Sequence, residues 1–215
     1  MEEYKDKIPS HIFSLLKAKG FESLRPSQEK SIKAGLFENK NLLVCTPTAS
    51  GKTLVGELAM LNACYKGKKA VYVVPLKALA SEKYKQFSKY DFLKVGVGSG
   101  DIDSEDKYLN YSDIIVVTSE KLDSLIRHKA SFIKEIGVLV VDEIHLLNDA
   151  SRGPTLEVVI TMLKDLLNPQ IIGLSATIGN PDELASWLNA SLVEDSWRPV
   201  ELKRGTFLKK IEFLE

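Results

Sequence analysis

The stretch 41–61, NLLVCTPTASGKTLVGELAML, decides the fold. Residues 41–45 read as a strand buried on both faces of a sheet. Leu54, Leu58 and Leu61 then recur at helical spacing. Between the two lies TPTASGKT (46–53), whose Gly-Lys-Thr ending is the tail of the phosphate-binding pattern G-x-x-x-x-G-K-[ST]. Its head departs from that pattern, because Thr46 stands where the first glycine is usual and Pro47 follows it. The strand–loop–helix setting is nevertheless what the chemistry needs: backbone N–H groups of the loop and of the helix N-terminus point at phosphate oxygens. In such a setting Gly51 lets the backbone come close to the ligand. Lys52 puts an ammonium on the β- and γ-phosphates, and Thr53 offers a hydroxyl to the Mg²⁺ of a nucleotide.

Similar runs recur along the chain: AVYVVP (70–75), KVGVG (94–98), DIIVVT (113–118), VLVVDE (138–143) and IIGLSA (171–176). Helical patterns alternate with them. Leu156, Val159, Ile160, Leu163 and Leu167 share one helix face, as do Leu76, Leu79, Ala80, Tyr84 and Phe87. Strand–helix alternation predicts an α/β fold, a mainly parallel β-sheet with helices on both faces. Two short helices are expected before it. One is capped near Ser10 and stopped by Gly20; the other has Pro26 near its first position. No repeat, low-complexity segment or linker divides the 215 residues, so they read as a single domain.

Composition narrows the class. Lys+Arg and Asp+Glu both number 29, which argues against a strongly basic coat for nucleic acid and leaves room for a local patch. No apolar run approaches the ~18 residues of a membrane span. The start, MEEYKDK, has no apolar segment of a signal peptide. A cytoplasmic chain without a membrane partner is expected. Cys45 falls at a strand end and Cys64 at the far end of the next helix. A helix of about a dozen residues separates its ends by roughly 18 Å, beyond disulfide reach, so two free packed thiols are expected.

The run VLVVDEIH (138–145) ends an apolar strand with two carboxylates. Parallel strands gather their carboxyl ends on one sheet edge, so the end of this strand can face the end of 41–45. There Asp142 would hold the nucleotide's Mg²⁺, and Glu143 would orient and deprotonate an attacking water.

In this order PTASGKT, DEIH and SAT (175–177) resemble the signature of superfamily 2 helicases. In that family Thr or Ala commonly replaces the leading glycine, with Pro frequent behind it. RPSQ, VPLKALASEKY, GSGD, TSEKLDSLIR, LVVDEIHLL, RGPTLE, GLSAT and WRPV extend the match to nearly the whole chain. Together they resemble the first motor domain of the archaeal Hjm-type (Ski-like) DNA helicases. The resemblance implies a RecA-like three-layer domain that uses ATP and Mg²⁺. Residues 1–38 would be N-terminal helices, 39–200 the motor core, and 201–215 the start of a link to a second RecA-like domain supplied in cis or in trans.

Residue by residue, the resemblance makes Gln28 the adenine reader; on its own Gln28 suits an exposed helix face. It makes Thr48, Ala49, Ser50, Gly51, Lys52 and Thr53 the phosphate cradle, with Lys52, Asp142 and Glu143 as the catalytic set. It makes Ser175 and Thr177, with His145 as partner, the link from nucleotide to nucleic acid. Pro75, Leu76 and Lys77, Ser99 and Gly100, and Thr118, Ser119 and Glu120 become strand-tracking loops on the same sheet edge. Such groups grip phosphate oxygens without reading bases, although Thr118 or Ser119 also suits a plain helix cap. Lys77, Lys83, Lys85 and Lys89 give one helix positive charge that Glu82 dilutes. The intact enzyme is expected to be a monomer. It would translocate on single-stranded or forked DNA, 3′ to 5′, in fork repair or recombination. An RNA motor of the Ski type and a non-catalytic nucleotide-dependent binding module are the rivals.

Overall fold

The computed structural model describes residues 1–98, 106–200, 205–207 and 211–213. Ser99 and Gly100, expected to track a nucleic-acid strand, lie outside them. Seven parallel strands form the central sheet: β1 (Leu42–Cys45), β2 (Lys69–Val74), β3 (Val95–Gly98), β4 (Ile114–Thr118), β5 (Ile136–Val141), β6 (Gln170–Ser175) and β7 (Ser191–Glu194). Their order is β3-β4-β2-β5-β6-β1-β7. A short antiparallel pair, β8 (Gly205–Phe207) and β9 (Ile211–Phe213), follows.

Because side chains alternate across a strand, the sheet carries a core on each face. Leu42, Val44, Ala70, Tyr72, Val138 and Val140 point to one side. There they meet α1 (Ser10–Ala18), α2 (Pro26–Lys33), α3 (Lys52–Tyr65) and α4 (Lys77–Phe87). Leu43, Cys45, Val71, Val73, Leu139 and Val141 point to the other. Those residues meet α6 (Ser119–Arg127), α7 (Gly153–Leu167) and α8 (Pro181–Leu188), while α5 is the single turn Asp106–Leu109. The result is the expected three-layer α/β arrangement. Helix α3 is buried almost all round, from Val55 to Ala63, as befits a helix covered by the sheet below and by α1 and α2 above.

All six strands expected from the sequence are present, and Pro26 is the first residue of α2. The run 138–143 is a strand only to Val141, and Asp142 and Glu143 form the turn that follows. Ser10 does not cap α1: Pro9 holds the cap position and Ser10 is already helical. Gly20 does end that helix, in the left-handed conformation at φ 78°. On α4 only Ala80 and Phe87 are fully covered, whereas Leu76 and Tyr84 are exposed. The apolar face read over those residues is therefore narrower than its spacing suggests. Cys45 and Cys64 are free thiols. Burial pushes their pKa values up to about 11 and about 12 respectively. Among the described residues no helix is long and apolar enough to cross a membrane.

Candidate active site

The loop that follows β1 closes on itself through the residue that replaces the usual glycine. Thr46 Oγ1 and Ser50 Oγ are 2.7 Å apart, and both residues are buried. The Thr46 N–H donates to the Ser175 carbonyl at 3.2 Å, so the loop is also pinned to the end of β6. Ala49 and Gly51 both take positive φ, 64° and 93°, which folds the chain tightly before α3 begins. Thr48 and Ala49 are exposed at the tip, and Thr53 is half-buried in the first turn of α3.

Lys52 is the first residue of α3, and only 8% of it is exposed. Its Nζ makes no hydrogen bond. The nearest opposite charge is Glu143 Oε1, 3.5 Å away. A buried ammonium at a helix N-terminus, with its donors unused, is costly unless an anion completes it. That is the electrostatic profile of a phosphate seat.

The acidic pair is held from two directions. Asp142 Oδ2 accepts from the Tyr72 hydroxyl at 2.8 Å, and Oδ1 accepts from the Glu143 N–H at 3.1 Å. Tyr72 is fully buried. Burial and the neighbouring Asp142 carboxylate push its phenol well above the ordinary value, so it stays a donor. Glu143 takes a left-handed φ of 50°, and the 3₁₀ turn Ile144–Asn148 follows. Gly153 lets α7 start against that turn: a Cβ there would lie 2.2 Å from the Leu147 carbonyl oxygen. His145 Nδ1 then lies 3.3 Å from Glu143 Oε2 and 3.4 Å from Ser175 Oγ. Lys52, Glu143, His145 and Ser175 thus form one continuous polar path. Ser175 is buried at the end of β6, while Thr177 lies beyond the strand and is exposed.

Gln28 is not on an exposed face. It is 3% exposed, its Oε1 accepts from the Arg25 N–H at 2.9 Å, and its Nε2 donates to the Gly51 carbonyl at 3.2 Å. The amide therefore staples α2 to the phosphate loop. Beside it opens a pocket of about 240 Å³, lined by Lys19, Phe21, Arg25, Gln28, Gly51, Leu54, Glu57 and Tyr90. Motif and spacing assign no site role to Tyr72, Phe21, Arg25 or Glu57, although Tyr72 and Arg25 stand within AVYVVP and RPSQ. Tyr72 has a signal there, as the only polar side chain in AVYVV. Glu57 has another, as the single acid of α3 within the apolar run 54–61.

The loops expected to follow nucleic acid sit at the same sheet edge but beyond β2, on the other half of the sheet from β1. Pro75 is half-buried; Leu76 and Lys77 are exposed at the start of α4. Thr118 caps α6, its Oγ1 accepting from the Lys121 N–H at 3.4 Å. Thr118 and Ser119 are buried and Glu120 is exposed. The capping role of Thr118 is thus realised.

Among the described residues no cluster of three or more His, Cys, Asp or Glu could cage a metal. Asp142 and Thr53 still fit Mg²⁺, which keeps several waters and binds through one or two protein groups plus substrate phosphates. The Tyr72 hydroxyl should matter to that role. Replacing it by Tyr72→Phe leaves Asp142 without its buried donor and should cost about 1.5–3 kcal/mol of stability, the range for a hydrogen bond to a charged group. Urea unfolding of the variant measures this, and an unchanged midpoint would contradict the assignment.

The chain matches the DEAD/DEAH box helicase family over residues 25–184. It is 53% identical to the ATP-dependent DNA helicase Hel308 of Methanococcus vannielii, over 93% of this chain and 28% of that protein. With the protein of the same name from Methanocaldococcus jannaschii it shares 54% identity over 94% of its own length and 18% of the relative. With that of Pyrococcus horikoshii it shares 51%, over 97% and 29%. The chain thus spans less than a third of these relatives. Its architecture is RecA-like and overlays the DUF1998 helicase MrfA bound to DNA with a TM-score of 0.75. That match has 25% identity and covers 88% of this chain and 30% of the other. By the extent of the family match and the placement of its motifs on one sheet edge, the chain belongs to the DEAD/DEAH box helicases.

Proposed function

We propose that this chain is the N-terminal ATP-binding domain of an ATP-dependent DNA helicase. The observation that carries the proposal is the buried, unbonded Lys52 ammonium at the start of α3. In this reading Thr48, Ala49, Ser50, Gly51 and Thr53 surround the phosphates with backbone N–H groups and hydroxyls, and Lys52 leaves Glu143 to take the β- and γ-phosphates. Gln28 has one amide hydrogen beyond its bond to Gly51 and one oxygen lone pair beyond its bond to Arg25, which it offers to the edge of adenine in the adjoining pocket. Mg²⁺, held by Thr53 and Asp142, would neutralise charge on the phosphates. Glu143, freed from Lys52, orients the attacking water and accepts its proton.

His145 and Ser175 then sense that change. His145 touches both Glu143 and Ser175, and Thr177, two residues on from Ser175, would carry the change past the end of β6. Pro75, Leu76 and Lys77, with Thr118, Ser119 and Glu120, would hold the phosphates of a DNA strand. The relatives described above are ATP-dependent DNA helicases, which supports DNA as the track. We take the intact enzyme to be a monomeric 3′ to 5′ motor acting on single-stranded or forked DNA in repair.

The site is half of one. Phosphoryl transfer needs a cation on the charge that develops in the transition state, and an arginine finger supplies roughly 10³–10⁵ in rate. A second RecA-like domain, in cis or in trans, would bring it, with residues 201–215 beginning the link. Isothermal titration should therefore show that this chain binds Mg-ADP and that Lys52→Ala abolishes binding. Equal affinity in the two would remove Lys52 from the site. In a phosphate-release assay the chain alone should turn over ATP near background even with DNA added. Brisk DNA-stimulated turnover that Glu143→Gln abolishes in this same chain would contradict the half-site.

A further inference from the structure

The segment leaving β7 is seated on the polar face of α2. Lys30 Nζ donates to the Glu194 carbonyl at 2.7 Å and pairs with Asp195 Oδ2 at 2.8 Å. The Trp197 N–H donates to Asp195 Oδ1, also at 2.7 Å. Burial opposes ionisation of Asp195, but the Lys30 ammonium and the Trp197 N–H outweigh it and hold its carboxyl below the ordinary value. Residues 194–197 are thus anchored to α2 by a charged, directional set of bonds.

One side chain joins that seat to the phosphate loop. Arg25, at the N-cap of α2, donates from Nη1 to the Ala49 carbonyl at 2.8 Å. Its Cζ lies 5.4 Å from the centre of the Trp197 ring, within cation–π range. Ala49 is a non-glycine residue at φ 64°, a conformation that persists only when its surroundings hold it. Arg25 also closes over the loop, since a Cβ on Gly51 would come within 3.0 Å of its Cδ and Nη1. A planar guanidinium can bond a carbonyl at its edge and stack on an indole with its face, which a lysine cannot do.

We infer that Arg25 is a positioning residue that couples occupancy of the phosphate loop to the seat of Trp197. The inference rests on the nucleotide reading of the loop. When the loop's N–H groups take phosphate oxygens, the Ala49 peptide must adjust. Its carbonyl is the atom that Arg25 grips, so the adjustment passes to the indole and to the chain beyond it. The coupling is reciprocal: a firmly seated Trp197 favours the nucleotide-bound loop.

The test uses Trp fluorescence. The chain has two tryptophans, and a Trp187→Phe background leaves Trp197 as the reporter. Mg-ADP should change its emission along the same saturation curve that calorimetry gives. Arg25→Ala should remove that response and weaken Mg-ADP about fivefold or more, the usual size of a coupling between sites. Arg25→Lys should not restore the response. Trp197→Ala, at a partly exposed side chain, should weaken Mg-ADP by calorimetry, and the double variant should be no worse than the poorer single one. Normal Mg-ADP binding with a silent Trp197, or full affinity in both Arg25→Ala and Trp197→Ala, would overturn the coupling and leave the nucleotide reading intact. A native chain that binds no Mg-ADP would overturn both.

Discussion

A cation held out of water at the start of α3 is the constraint on which the site is built. Lys52 is buried, and Glu143 answers its charge only at 3.5 Å. Removing an ammonium from water without hydrogen bonds is expensive, so the fold must hold it there. The β1–loop–α3 connection does so, with Thr46 and Ser50 tying the loop shut beneath it. Burial of α3 along its length fixes where its first residue points. The left-handed turn at Glu143 brings the matching carboxylate across from β5, two strands away from β1.

The same constraint would make a nucleotide site responsive. Lys52 and Glu143 hold each other loosely, and a phosphate would take Lys52 away. Glu143 would then be left to water, and His145 and Ser175 would feel the loss through contacts of 3.3 and 3.4 Å. Those contacts are long for hydrogen bonds, as suits groups that change partners. By contrast Asp142 accepts two shorter hydrogen bonds, from the Tyr72 hydroxyl and from the Glu143 N–H. The arrangement thus sets a carboxylate fixed by two hydrogen bonds beside one whose ion pair and imidazole contact are both long.

Most of this was legible in the sequence where residue type and period suffice. Buried parallel strands announce themselves as unbroken β-branched runs, and GKT after one of them with DE after another places both motifs on one edge. Signals of a different kind were harder to read. Strand β7 was not seen, because at the sheet edge only Val193 of SLVE is buried and the run lacks a full apolar pattern. On α4 the spacing aligns Leu76, Leu79, Ala80, Tyr84 and Phe87 but does not say how wide the cover is, and only Ala80 and Phe87 are buried. Gln28 looked like a surface residue because its partners lie at Arg25 and at the distant Gly51. The Thr46–Ser50 bond was hidden for another reason: a pattern written around glycine has no place for a hydroxyl that closes the loop.

The most direct measurement is the structure of this chain crystallised with Mg-ADP. A phosphate oxygen should lie within hydrogen-bond distance of Lys52 Nζ, the base beside Gln28, and Mg²⁺ between the phosphates and the Thr53 and Asp142 side chains. Nucleotide bound elsewhere, with Lys52 still facing Glu143 alone, would contradict that placement.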